Sequence, residues 1–184
     1  DPGDKTGQGK FVADTETEAN ADNYQISNSA AIGDKVWFKI NAYVPAYAGP
    51  DKVYTYTFTD TLATGFTYNN DATITLYTIS TDGTENTVSL GTDKYSISAN
   101  GQTITIEIYA NAISGYPADA HVTIKYTATV DKDAVYDNQN TVSMDWTVVG
   151  TNGAGEDPDT SNDDVPDPDE VGTSTTDTYV YGFN

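Results

Sequence analysis

His121-Val122-Thr123-Ile124-Lys125-Tyr126-Thr127-Ala128-Thr129-Val130 decides the fold class. Val122, Ile124, Tyr126, Ala128 and Val130 fall at every second position, with His, Thr and Lys between them. That period belongs to a strand with one face on a core and the other toward solvent. Working toward the N-terminus, the same period predicts strands over Thr103–Tyr109, Lys94–Ser98, Thr87–Leu90, Thr73–Ser80, Tyr54–Thr59 and Lys35–Val44. In the last of these, Val36, Phe38, Ile40, Ala42 and Val44 share a face; in Tyr54–Thr59, Tyr54, Tyr56 and Phe58 do. Toward the C-terminus it gives Asn140–Val148, through Val142, Met144, Trp146 and Val148, and then Thr178–Phe183. Asn100-Gly101 is the strongest turn signal, because both residues tolerate positive φ. No stretch keeps a helical period over three turns. The reading is an all-β chain, an antiparallel immunoglobulin-like β-sandwich.

The 184 residues suit one such domain spanning 1–184. Within it, residues 1–9 read as a polar leader, 150–176 as an acidic surface loop and 178–184 as a closing strand. Residues 14–31 are also polar, and Lys10-Phe11-Val12 is a short extended piece between the two polar stretches. The chain opens on Asp1-Pro2-Gly3, shows neither a signal peptide nor a sorting signal, and is read as a piece of a longer surface protein.

Charge narrows the function classes. With 28 acidic residues against 8 basic ones, all lysine, the formal net charge is −20. Such a field repels phosphate backbones and anionic headgroups, which argues against nucleic acid and membrane surfaces as partners. No arginine is present to clamp a phosphate or carboxylate substrate. Cysteine is absent too, which removes disulfides, a thiol nucleophile and Cys-ligated zinc. The single histidine, His121, cannot build a multi-histidine site, and it falls on the solvent parity of its strand.

Strand parity also picks out polar residues on apolar faces, where each needs a reason. Asp60 continues the Tyr54-Tyr56-Phe58 face, Asn140 begins the Val142-Met144-Trp146 face, and Lys10 shares parity with Val12. Lys35, Lys39, Lys94 and Lys125 fall on the polar parity of their strands. Buried together, a lysine, an asparagine and an aspartate make one reaction possible. Desolvation favours the neutral, nucleophilic amine and the protonated carboxyl, and the latter polarises the carboxamide. Attack on the carboxamide releases ammonia and leaves an isopeptide bond, with proximity supplying the effective concentration.

Several stretches stand out together: Ile32-Gly33-Asp34-Lys35-Val36-Trp37-Phe38-Lys39-Ile40, Val44-Pro45, Tyr56-Thr57-Phe58-Thr59-Asp60-Thr61-Leu62 and Gly65-Phe66-Thr67-Tyr68. Tyr126-Thr127-Ala128-Thr129-Val130, Asn138-Gln139-Asn140-Thr141-Val142 and Tyr179-Val180-Tyr181-Gly182-Phe183 follow in order. In this order and spacing they resemble the isopeptide-forming domains of Gram-positive pilus backbone subunits and surface adhesins, of the CnaA-like, immunoglobulin-like kind. The resemblance implies a Lys–Asn crosslink beside a catalytic Asp, matched here by Lys10, Asn140 and Asp60. Family members carry a hydrophobic residue or Pro before that lysine, where this chain has Gly7-Gln8-Gly9, so Lys5 is the alternative. A sortase pilin motif is absent. The implied protein is a cell-surface stalk or adhesin module, anchored to the cell wall through other parts of its chain. It needs no cofactor, and its chemistry is at most a single self-crosslinking turnover. Its partners would be neighbouring domains and, through sortase linkage, other pilin subunits.

Two rival readings compete with it. A carbohydrate- or host-ligand-binding module would use Trp37, whose parity is outward. A calcium-stabilised spacer would use Asp157, Asp159 and Asp163. Counted from Asp159, Ser161, Asp163, Asp167 and Glu170 fall at EF-hand-like offsets, but Asp164 stands where the sharp-turn glycine belongs.

Overall fold

The computed structural model describes residues 9–44, 52–113, 116, 120–134, 137–149 and 171–182. Among the described residues, twelve strands form two six-stranded sheets. The first sheet holds β1 (Gly9–Ala13), β3 (Lys35–Tyr43), β10 (His121–Val130), β6 (Thr73–Ile79) and β7 (Glu85–Ser89) in that spatial order, with β5 (Phe66–Tyr68) also paired to β10. The second runs β2 (Ser27–Ala30), β12 (Val171–Gly182), β11 (Asp137–Val149), β4 (Lys52–Thr61), β9 (Thr103–Ile108) and β8 (Tyr95–Asn100). Pairing is antiparallel except between β2 and β12.

The alternation that announced β10 is the one that builds the core. Val122, Ile124, Tyr126, Ala128 and Val130 are buried and meet Val36, Phe38 and Ile40 of β3. The other sheet contributes Tyr56 and Phe58 of β4, Ile104, Ile106 and Ile108 of β9, and Val142 of β11. β3, β4, β9 and β10 spend every second described residue on this layer, which is how a chain of only 37% hydrophobic residues fills a core.

Several expected boundaries shift. Gly9, expected at the end of the leader, belongs to β1. The loop expected over 150–176 loses residues 171–176 to β12, which pairs with β11 from Thr147↔Val171 to Asp137↔Tyr181. Thr173, Ser174, Thr175 and Thr176 lack apolar alternation, yet β-branched threonine suits a ladder held by backbone pairing. Asn100 closes a pair with Thr103, so the β8–β9 turn is Gly101-Gln102, with Gly101 at φ 60°.

Residues 14–31, polar in sequence, carry structure of their own. Thr15 caps a short helix, α1 (Glu16–Asn20), by accepting from the Glu18 amide, and Glu16 and Glu18 sit in its first turn. This segment brings Ala19 and Tyr24 over the outer face of the first sheet, where they bury Phe11 and Ala13 with Trp37 packed alongside. β1 is therefore buried on both faces: Lys10 and Val12 look between the sheets, Phe11 and Ala13 under the strap.

Gly65 has φ +92°, and a Cβ there would lie 2.2 Å from the Ala134 backbone nitrogen. Gly83 has φ +84° and open space around it. Gly65→Ala is expected to lose about 2–4 kcal/mol in urea unfolding, from overpacking plus left-handed strain, and Gly83→Ala about 1 kcal/mol, from strain alone.

Candidate functional site

Lys10 and Asp60 reach each other from opposite sheets. β1 pairs with β3 so that Lys10 lies across from Ile40, while β4 lies between β11 and β9 with Asp60 across from Val142 and Ile104. Both side chains turn into the layer between the sheets, and both are fully excluded from solvent. Lys10 Nζ donates to Asp60 Oδ1 at 2.5 Å. The other carboxylate oxygen, Oδ2, accepts from the Tyr126 hydroxyl, also at 2.5 Å.

Apolar groups enclose this trio. Lys10 Nζ lies 4.7 Å from the centre of the Phe38 ring, which stacks on Tyr126 at 5.1 Å. Burial, then the neighbouring Asp60 charge, pushes the Tyr126 hydroxyl well above its ordinary range, so it stays protonated and donates. A buried ion pair is costly to desolvate and is tolerated when its remaining polar atoms are satisfied, as Tyr126 does here for Oδ2.

Asn140 enters through its backbone register. In β11, Val142 is buried and lies directly across from Asp60, and Asn140 has the same strand parity two residues earlier, paired with Thr178 of β12. Lys5, Asp157, Asp159 and Asp163 lie outside the described residues. Among the described residues, no group of three His, Cys, Asp or Glu could hold a metal ion. Strand parity marks Tyr126 only as a core aromatic. Its signal was present: a tyrosine on a core face needs a partner for its hydroxyl.

Two residues given solvent parity lie on the outer face but are not exposed. His121 is buried between Tyr43, at 4.4 Å between ring centres, and Tyr77, at 6.4 Å. Lys39 is buried under the α1 strap, 4.8 Å from the Tyr24 ring centre. Its ammonium lies 3.3 Å from Asp22, which also accepts from Lys125 at 3.0 Å. Parity assigns a face, and it cannot anticipate what the chain later lays over that face. Trp37 is half-buried as packing for the same strap.

Residues 32–149 match the family model described as Gram-positive pilin backbone subunit 2, Cna-B-like domain. The chain belongs to this family. The description carries the Cna-B-like label, where the resemblance drawn from the sequence used the CnaA-like one. Among solved structures, the pilus backbone of Streptococcus pneumoniae aligns with a TM-score of 0.54 at 20% identity, covering 66% of this chain and 27% of that one. The major pilin subunit BcpA of Bacillus cereus gives 0.61 at 11% identity, covering 96% and 40%. The C-terminal domain of the Streptococcus agalactiae AgI/II polypeptide BspA gives 0.61 at 19% identity, covering 95% and 49%. These identities speak for the fold, and the chain spans about half or less of each structure's length. No curated protein matches. The family makes this a structural domain of the kind found in pilin backbone subunits, proteins of the Gram-positive cell surface.

Two outcomes follow. Tyr126→Phe removes the donor to Asp60 Oδ2 and should cost about 1–3 kcal/mol in chemical denaturation. Burial alone would raise Asp22, but the hydrogen bonds and charges of Lys125 and Lys39 outweigh it and hold Asp22 below its ordinary value. A lowered carboxylate stabilises the fold above its unfolded-state value of about 3.9 and ceases to do so as pH falls through the lowered value. Asp22→Asn should therefore flatten the stability profile below about pH 4, measured by urea unfolding across pH.

Proposed function

We propose that the domain is a stalk or adhesin module whose two sheets are joined by an isopeptide bond between Lys10 and Asn140, formed once with Asp60 as acid and base. The observation that carries the reading is the Lys10–Asp60 pair, fully buried between the sheets at 2.5 Å. Before it can attack, the Lys10 ammonium must give up a proton, and Asp60 Oδ1 is the base in contact with it. The neutral amine then attacks the Asn140 carboxamide carbon while protonated Asp60 donates to the carboxamide oxygen. A second amine proton passes to the departing nitrogen and the old C–N bond breaks. Ammonia leaves and carries the proton held by Asp60, which restores the carboxylate. Tyr126 holds Oδ2 throughout and fixes the carboxyl plane.

A bond of this kind ties β1 in one sheet to β11 in the other, the service a disulfide would give if the chain had cysteine. Closing so long a loop restricts the unfolded chain by roughly 4–5 kcal/mol in the entropy model used for disulfides. It also prevents a pulling force from simply shearing the two strands apart. We read residues 1–184 as one domain of a longer, cell-wall-anchored protein, with neighbouring domains and sortase-linked subunits as its partners.

Protease digestion followed by tandem mass spectrometry should yield one branched peptide joining the Lys10 and Asn140 segments. Asp60→Ala should yield those segments as separate linear peptides and melt at lower temperature. Linear Lys10 and Asn140 peptides from the unaltered protein would overturn the assignment, and a branch at Lys5 would move the nucleophile.

A further inference from the structure

The outer face of the first sheet carries a second cluster that the crosslink does not use. Lys39 and Asn41 of β3, Thr123 and Lys125 of β10, and Thr73 and Thr75 of β6 share that face in neighbouring register. With Asp22 from the strap, they line a cavity of about 360 Å³, within the range of small-ligand sites.

Charge marks this cavity out. Among the described residues that line it, Lys39 and Lys125 carry ammonium groups and Asp22, which contacts both, carries the carboxylate, in a chain of net charge −20. Lys39 is held below its ordinary value by burial, which the Asp22 charge only partly offsets, so a further anion would stabilise its charged form. The Lys125 side chain is 41% exposed and stands at the cavity's edge with its ammonium able to meet a ligand.

The remaining lining is hydroxyl-rich. Thr73 and Thr75 donate to β10 carbonyls only at 3.5 Å, too long to hold their hydroxyls firmly. Thr123 donates to Asn41 Oδ1 at 2.9 Å and sets the orientation of that amide. A second depression of about 280 Å³ adjoins the first, shares Thr73 and Lys125 with it, and is lined by Trp37, Tyr24 and the Asp71 carboxylate, which accepts from the Thr127 amide and hydroxyl. Ammonium groups, rows of hydroxyls and a flanking indole together suit a polyhydroxylated ring that bears a carboxylate.

We propose that this cavity binds an acidic sugar, with its carboxylate between Lys39 and Lys125, its hydroxyls on the threonine row, and any further sugar unit running over Lys125 toward Trp37. In this arrangement Asp22 is the resident anion with which the ligand competes. The Asp22 backbone has φ 57°, a conformation asparagine also accepts, so Asp22→Asn removes the competing charge without adding backbone strain.

The test is amide-resolved NMR titration of the intact protein with glucuronate, glucose and N-acetylglycine. Saturable shifts at Asn41, Thr123 and Lys125 with glucuronate, and none with glucose, are expected. Lys125→Gln should weaken glucuronate by about tenfold, the loss of one charge-assisted hydrogen bond, and Asp22→Asn should tighten it. Equal binding of N-acetylglycine would replace the sugar by a peptide carboxylate and overturn the proposal. So would the absence of any saturable shift with glucuronate, or an Asp22→Asn affinity no tighter than that of the unaltered protein.

Discussion

The rest of the structure is arranged around one desolvated contact, the Lys10 ammonium against the Asp60 carboxylate in the layer between two sheets. An ammonium and a carboxylate each lose several kcal/mol of hydration on entering such a layer, and only close mutual contact offsets that loss. The contact therefore fixes how the sheets meet. It requires β1 to lie flat on β3 with Lys10 turned inward, and it requires the inward face of β4 to end in a carboxylate after Tyr56 and Phe58. It also requires Tyr126 to point its hydroxyl at Asp60 instead of finding water. Removing Asp60 would take away the carboxylate that the buried Lys10 ammonium contacts at 2.5 Å, so this position carries much of the local stability.

Position alone explains why β1 is so thoroughly enclosed. A five-residue edge strand has few backbone hydrogen bonds with which to hold a buried lysine. The strap from α1 to Tyr24 supplies the missing cover, closing a small apolar cluster over Phe11 and Ala13 on the side away from Lys10. The strap is itself held by Asp22 to Lys39 and Lys125, so one charge cluster outside the first sheet supports the one inside it. Because the two use different lysines, the outer cluster can meet a ligand while the inner one stays sealed.

Much of this was legible in the sequence, for a definite reason. Strand parity is a two-residue period, and it fails where a strand bends, where something covers its outer face, or where a strand carries too few apolar residues to show it. It placed Asp60 and Lys10 inward, because Tyr56, Phe58 and Val12 beside them are unambiguous. It placed Lys39 and His121 outward, correctly as to face, yet both are buried, because their covers come from Tyr24, Tyr43 and Tyr77, distant in sequence or on neighbouring strands. It could not find β2 or the first half of β12, since Ser27–Ala30 and Thr173–Thr176 carry almost no apolar signal and are held by backbone pairing. Tyr126 was placed on the right face but not given its partner, because no local pattern says which of many tyrosines meets a carboxylate.

The central claim is that burial of this pair has a covalent outcome. Intact-protein mass spectrometry under denaturing conditions addresses it without depending on which lysine reacts. The account predicts a mass lower than that of the sequence by one ammonia. A mass equal to the full uncrosslinked sequence would contradict it and leave Lys10 and Asp60 as a buried ion pair alone.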